Sequence, residues 1–176
     1  MKKLEKFLEL NNIDKESFLE AVYTDIIELI FRKICLNLKK DENLYFKVKQ
    51  AYFSTKDELY IIKQLVNNIC NCEILEEDLV KINTWLKAFY SKQDKRKSIE
   101  NYIKRDLLIK QNYSCAICHK KLSNDEIRLD HIIPFDLVGD ELENNYQILC
   151  TDCNLAKSDH IAQSMFNIIV YNNKKL

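Results

Sequence analysis

Two pairs of cysteines constrain this chain more than any other feature: Cys115 and Cys118 in CAICH, and Cys150 and Cys153 in CTDC. CAICH alone fits three patterns, namely haem attachment, a redox dithiol and one half of a four-ligand zinc site. Haem attachment requires export, yet the chain opens MKKLEKFLELNNIDKESF, where charges break every apolar run and no signal peptide is expected. No stretch reaches the roughly 18 apolar residues of a membrane span, and seven cysteines is an odd number for a disulfide framework. The expectation is a cytoplasmic, reduced protein with no membrane association, where paired cysteines bind metal or do redox work. Two CxxC pairs present four thiolates from two tight turns, which suits the tetrahedral demand of Zn2+. A redox pair and a pair of ordinary buried cysteines are the alternatives.

The spacer between the pairs is 31 residues, long against the usual 15 to 20 or so, so something is inserted. At its centre, IRLDHII surrounds Asp130 and His131 with apolar and β-branched residues, which predicts a strand with two functional groups at its end. The only proline and the only glycine, Pro134 and Gly139, follow at once and demand a loop. NNYQILC then reads as a second strand leading into the second cysteine pair, and NLAKSDHIAQSMFNIIV has helical spacing.

Residues 111 to 160 resemble the HNH endonucleases, with their ββα-metal fold. The likeness rests on DHIIP, on Asn145 in NYQILC, and on CTDCNLAK at 150 to 157. It implies phosphodiester hydrolysis in nucleic acid, DNA before RNA. It makes His131 the general base, since a neutral imidazole suits deprotonation of water. It makes Asp130 and Asn154 oxygen ligands of a catalytic divalent metal. Two hard ligands favour Mg2+, or Mn2+ in its place. Asn145 would fix the strand that carries His131, and Lys157 would meet the scissile phosphate. Many family members carry histidine where this chain has Asn154, and the second helix histidine that some use is absent, a departure that argues for Mg2+ over Zn2+ or Ni2+. His160 lies about 240° around a continuous helix from Asn154 and is expected to face elsewhere; His119 is expected to cap its cysteine turn or meet solvent. Compact proteins of this family are associated with restriction of foreign DNA and defence against phage.

The first hundred residues hold no glycine, proline or histidine and are rich in Leu, Ile, Lys, Glu and Asn, which predicts helices. The segment 15 to 38 is apolar over much of its circumference and predicts a helix buried on more than one side. Ser17 with Glu20 and Thr55 with Glu58 read as capping boxes and place helix starts near 17 and 55. Further helices are expected over 58 to 70, 76 to 90 and 99 to 113, while 39 to 53 is ambiguous between helix and hairpin. Cys35, Cys70 and Cys72 sit in apolar runs and read as core residues. The polar run SKQDKRKS suggests a boundary, giving a helical domain over 1 to 92 and a nuclease domain over 93 to 176. The fold class expected is therefore mainly α with a small α+β unit.

Charge limits what the partners can be. Lys plus Arg is 27 and Asp plus Glu is 27, whereas free-standing nucleic-acid binders are usually basic. Only the stretch around Lys95, Arg96, Lys97, Lys104, Arg105 and Lys110 is locally positive. A neutral nuclease binds DNA weakly by itself, so the helical domain is expected to join another protein or a second copy of this chain. Two other classes are consistent with the residues: a zinc-stabilised nucleic-acid-binding module whose nuclease site is silent, and a helical interaction protein with a structural zinc.

Overall fold

Local side-chain caps from Asp14, Asp41, Asp57 and Cys150 each mark the start of a helix. In the computed structural model, which describes residues 2–158, 160 and 163–171, α1 runs Lys2–Leu10 and α2 runs Lys15–Lys40. The Asp14 carboxylate accepts from the Ser17 N–H at 2.8 Å, so Asp14, three residues ahead of the expected Ser17, caps α2. The ambiguous stretch is a helix, α3 (Glu42–Ser54), because Asp41 accepts from the Leu44 N–H. Helix α4 (Glu58–Leu65) is capped by Asp57 rather than Thr55 and runs on into a π-helical turn, Val66–Cys70. Helices α5 (Glu76–Ser91) and α6 (Asn101–Lys110) follow. The expected β-β-α order then appears as β1 (Arg128–His131), a short helix α7 (Phe135–Val138), β2 (Tyr146–Leu149), α8 (Thr151–Lys157) and α9 (Ser164–Tyr171). The protein is thus mainly helical with a two-stranded antiparallel sheet. Among the described residues no helix is long and apolar enough to cross a membrane.

The long helix expected over 154 to 170 is two helices. Helix α8 stops at Lys157 and Ser158 takes a left-handed φ of 46°, a conformation that ends a helix and that non-glycine residues rarely adopt. Asp159, Ile161 and Ala162 of that stretch lie outside the described residues.

The chain forms two compact units that interleave in sequence. One holds the described residues of Met1–Ile26, Ser98–Ile132 and Asn145–Leu176, the other Ile27–Lys97 and Ile133–Asn144. Only the 97/98 boundary falls within the polar run; the expected break near 92 separates segments that pack together. The apolar pattern along each helix tells that a face is buried, not which distant segment covers it.

In the second unit, Phe31, Ile34, Cys35, Ile62, Ile82 and Leu86 are fully buried, each large aliphatic or aromatic side chain contributing about 1.5–3 kcal/mol. Phe31 meets Trp85 with ring centroids 5.2 Å apart, and the Tyr52 hydroxyl donates to Asn83. Segment 133–144 is held here by Lys39 and Lys92, which reach Asp136 at 2.7 and 3.8 Å. The Lys39 ammonium lowers the Asp136 carboxyl below its ordinary value. Gly139 is required: at φ 63° and ψ −150° it occupies a region open only to glycine, and a Cβ there would come within 2.9 Å of Lys92 Cγ. Two of the locally positive residues are engaged in this unit, Lys97 with Glu141 at 2.7 Å and Arg96 over the Phe135 ring at 5.0 Å.

In the first unit, Leu8, Ile13 and Phe18 form a small core covered by Val22, Ile168 and Ile169. Asp25, 6% exposed, accepts the Ser164 and Met165 backbone N–H groups at 2.8 and 2.9 Å. A carboxylate from mid-α2 therefore caps α9, satisfying donors that have no partner within their own helix. Asp25→Ala is expected to cost about 1–3 kcal/mol, read as a lowered urea midpoint with faster hydrogen exchange confined to α9 and its neighbours. An unchanged midpoint would show the cap to be energetically idle.

Candidate active site

The two cysteine turns meet in the first unit. After α6 the chain turns at Cys115–Cys118, closed by the Cys115 N–H to Lys120 O (2.9 Å) and the His119 N–H to Cys115 O (3.0 Å). His119 sits at a left-handed φ of 57° and is exposed, as expected of a residue ending the turn. Cys150 is the N-cap of α8, its sulfur accepting from the Cys153 N–H at 3.4 Å. The four sulfurs lie within 4.8 Å of one another, and Cys118 Sγ and Cys150 Sγ are 3.8 Å apart. A disulfide would need about 2.05 Å. Four thiolates around one ion with metal–sulfur bonds of about 2.3 Å form a tetrahedron with edges of about 3.8 Å, so the donor set fits a metal ion. Ile117, Leu149, Ala116 and Leu122 wrap it in apolar surface. Burial opposes a thiolate at Cys115, but backbone N–H groups of Cys118, Cys150 and Ile117 outweigh it and lower this thiol, whereas burial raises Cys118. One thiol of the group is thus biased toward the ionised form that a metal requires.

The strand residues are placed by register. Asp130 pairs with Gln147 and His131 with Tyr146. Beyond the strand, the Ile132 N–H donates to Asn145 O at 2.8 Å, extending the pairing by one bond, and Asn145 is 3% exposed. The outer edge of β2 is closed by Gln111, whose amide accepts from the Ile148 N–H (2.8 Å) and donates to Ile148 O (2.9 Å). One side chain thus does for β2 what a third strand would do. His131 is 8% exposed, with its ring centroid 4.8 Å from that of Tyr146.

Helix α8 meets β1 through Lys157. This lysine is 6% exposed; its ammonium donates to His131 O at 2.7 Å and lies 3.0 Å from Asp130 Oδ2. Gln147 Nε2 donates to the same oxygen at 2.9 Å. Asp130, His131, Gln147 and Lys157 therefore form one connected group, with half-buried Asn154 one helical turn before Lys157. Lys157, expected at the phosphate, directs its charge inward. His160 is exposed and its N–H donates to Lys157 O at 2.8 Å, so the helical angle from Asn154 does not apply to it. The resemblance assigns no functional role to Gln147, although it lies within NYQILC, or to Gln111. Gln147 faces Asp130 only because of the antiparallel register, which depends on a loop whose geometry the sequence does not spell out.

Residues 115–167 match a family model described as HNH endonuclease, a match that covers both cysteine pairs and the strand–helix group and points to nuclease activity. No curated protein and no solved structure matches the chain.

Proposed function

We propose that the chain is a metal-dependent endonuclease that hydrolyses phosphodiester bonds in DNA. Zn2+ would be held as a structural ion by Cys115, Cys118, Cys150 and Cys153, and Mg2+, or Mn2+ in its place, by Asp130 and Asn154. The observation that carries the reading is the Asp130–His131 pair at the end of β1, tied to α8 by Lys157 inside the segment that matches the endonuclease family. Hard oxygen donors suit the small divalent ions, and soft thiolates suit zinc. When bound, the divalent ion supplies Lewis acidity at a phosphate oxygen and at the leaving group.

The protein's own groups do the rest. His131 takes the proton of the attacking water, and its freedom is limited on two sides: Tyr146 packs on the ring, and Lys157 holds its carbonyl. Asn145, through its carbonyl bond to the Ile132 N–H, keeps the end of β1 ordered just past the base. A net charge of zero supports a further part of the proposal: a protein partner or second copy, bound through the helical region, delivers the nuclease to DNA.

Purified protein mixed with supercoiled, linear and single-stranded DNA and with RNA tests the reading. Cleavage of DNA in Mg2+ or Mn2+ and none in EDTA is expected. Binding without cleavage in any metal would instead make this a zinc-stabilised binding module.

A further inference from the structure

The geometry points to a role for Lys157 distinct from contact with substrate: with Gln147 it pins Oδ2 of Asp130, leaves Oδ1 to the divalent cation, and keeps that cation's affinity low. The inference rests on the reading of Asp130 as a metal ligand. Three observations carry it. Both donors converge on one carboxylate oxygen, Gln147 Nε2 at 2.9 Å and Lys157 Nζ at 3.0 Å. The ammonium is anchored by a second bond, 2.7 Å to His131 O, and its side chain is only 7% exposed. A lysine that meets a phosphate in solvent has no need of such burial. Finally, the two donors reach Asp130 from different elements, β2 and α8, so the carboxylate plane is fixed by both the sheet register and the helix.

The two donors act differently on a metal. Gln147 is neutral: it orients the carboxylate without opposing a cation. Lys157 carries a full charge that a divalent ion on the same carboxylate must tolerate. At a separation of about 5 Å and an effective dielectric of about 20, repulsion between charges of +1 and +2 corresponds to well over a tenfold change in affinity. Lys157 is thus a positioning residue whose charge sets the concentration of metal at which the site fills.

The test is calorimetric titration of Mn2+ into the full-length, zinc-replete chain. Lys157→Met is expected to tighten Mn2+ binding by about tenfold or more, with zinc content unchanged. Lys157→Gln, which keeps a donor for the His131 carbonyl, should do the same, and it protects the test if the methionine variant folds poorly. Gln147→Leu should weaken binding several-fold, because orientation is lost while repulsion stays. A lysine with a merely structural role would give weaker binding in both Lys157 variants together with a lower melting midpoint, and that outcome or an unchanged affinity overturns the inference. Asp130→Asn separates the two levels. If that variant binds Mn2+ as tightly as the unmodified chain, Asp130 is not a ligand and the proposed catalytic site itself fails. If binding depends on Asp130 but does not tighten without the lysine charge, only the role of Lys157 fails. Absence of Asp130-dependent binding in both the unmodified chain and Lys157→Met would overturn both.

Discussion

His131→Ala is expected to reduce Mg2+-dependent DNA cleavage by about a hundred- to ten-thousand-fold, the usual contribution of a positioned general base. The comparison is meaningful because the imidazole lies outside the four-cysteine group, so zinc content should stay at one per chain. Some stability will be lost with the ring contact to Tyr146. His131→Asn, which fills more of the space, should be equally inactive and less destabilised. Asp130→Ala and Asn154→Ala should behave differently: as ligand losses they should regain part of their activity at high Mn2+, whereas more metal does not restore a missing base. Full-rate cleavage by His131→Ala, measured where the unmodified chain is active, would remove His131 as the base and with it the proposed catalytic site.

The second large effect concerns Cys118→Ser. The variant should lose its zinc and the ordered structure of residues 115–157, because thiolate–metal binding is itself folding free energy. Apparent values of about 10–16 kcal/mol for structural zinc equal or exceed the whole stability of an ordinary domain, about 5–15 kcal/mol. Cys115, Cys150 and Cys153 cluster with Ile117 and Leu149 in a small apolar core, and three thiols brought together without an ion would leave it weakly held. Elemental analysis should show no retained metal, and hydrogen exchange should show the loss concentrated in β1, β2 and α8, with the core around Phe31 and Leu86 still protected. One zinc per chain retained in a Cys150→Ser, Cys153→Ser double variant would exclude the four-cysteine site.

What could be read from the sequence was short in range. A CxxC pair brings two thiols together in one tight turn whatever surrounds it, and the Asp130–His131 pair sits in a strand-forming run, so both positions were legible residue by residue. Helix content followed from composition. The starts of α2 and α4 were misplaced by two and three residues, because Asp14 and Asp57 compete with Ser17 and Thr55 as caps and only the backbone path decides between them. The break after Lys157 was hidden because Ser158 carries no signal for a positive φ. The grouping of elements was hidden for a different reason: Asp25 capping α9, Gln111 standing in for a strand and Gln147 facing Asp130 are all contacts between segments distant in sequence. Their residue types are common on surfaces, where each would need no partner at all.

The cap that Asp25 places on α9 joins positions 139 and 140 residues apart, and this has a kinetic consequence. Such a pairing closes only after nearly all the intervening chain exists, and long-range closure is the slow part of folding. During synthesis, residues 27–97 can settle while the strand–helix group and its partners are still incomplete. The strand–helix group around Asp130 and His131, which shares its unit with this cap, is therefore expected to order after the core around Phe31 and Leu86, a succession that pulse-labelled hydrogen exchange during refolding would read.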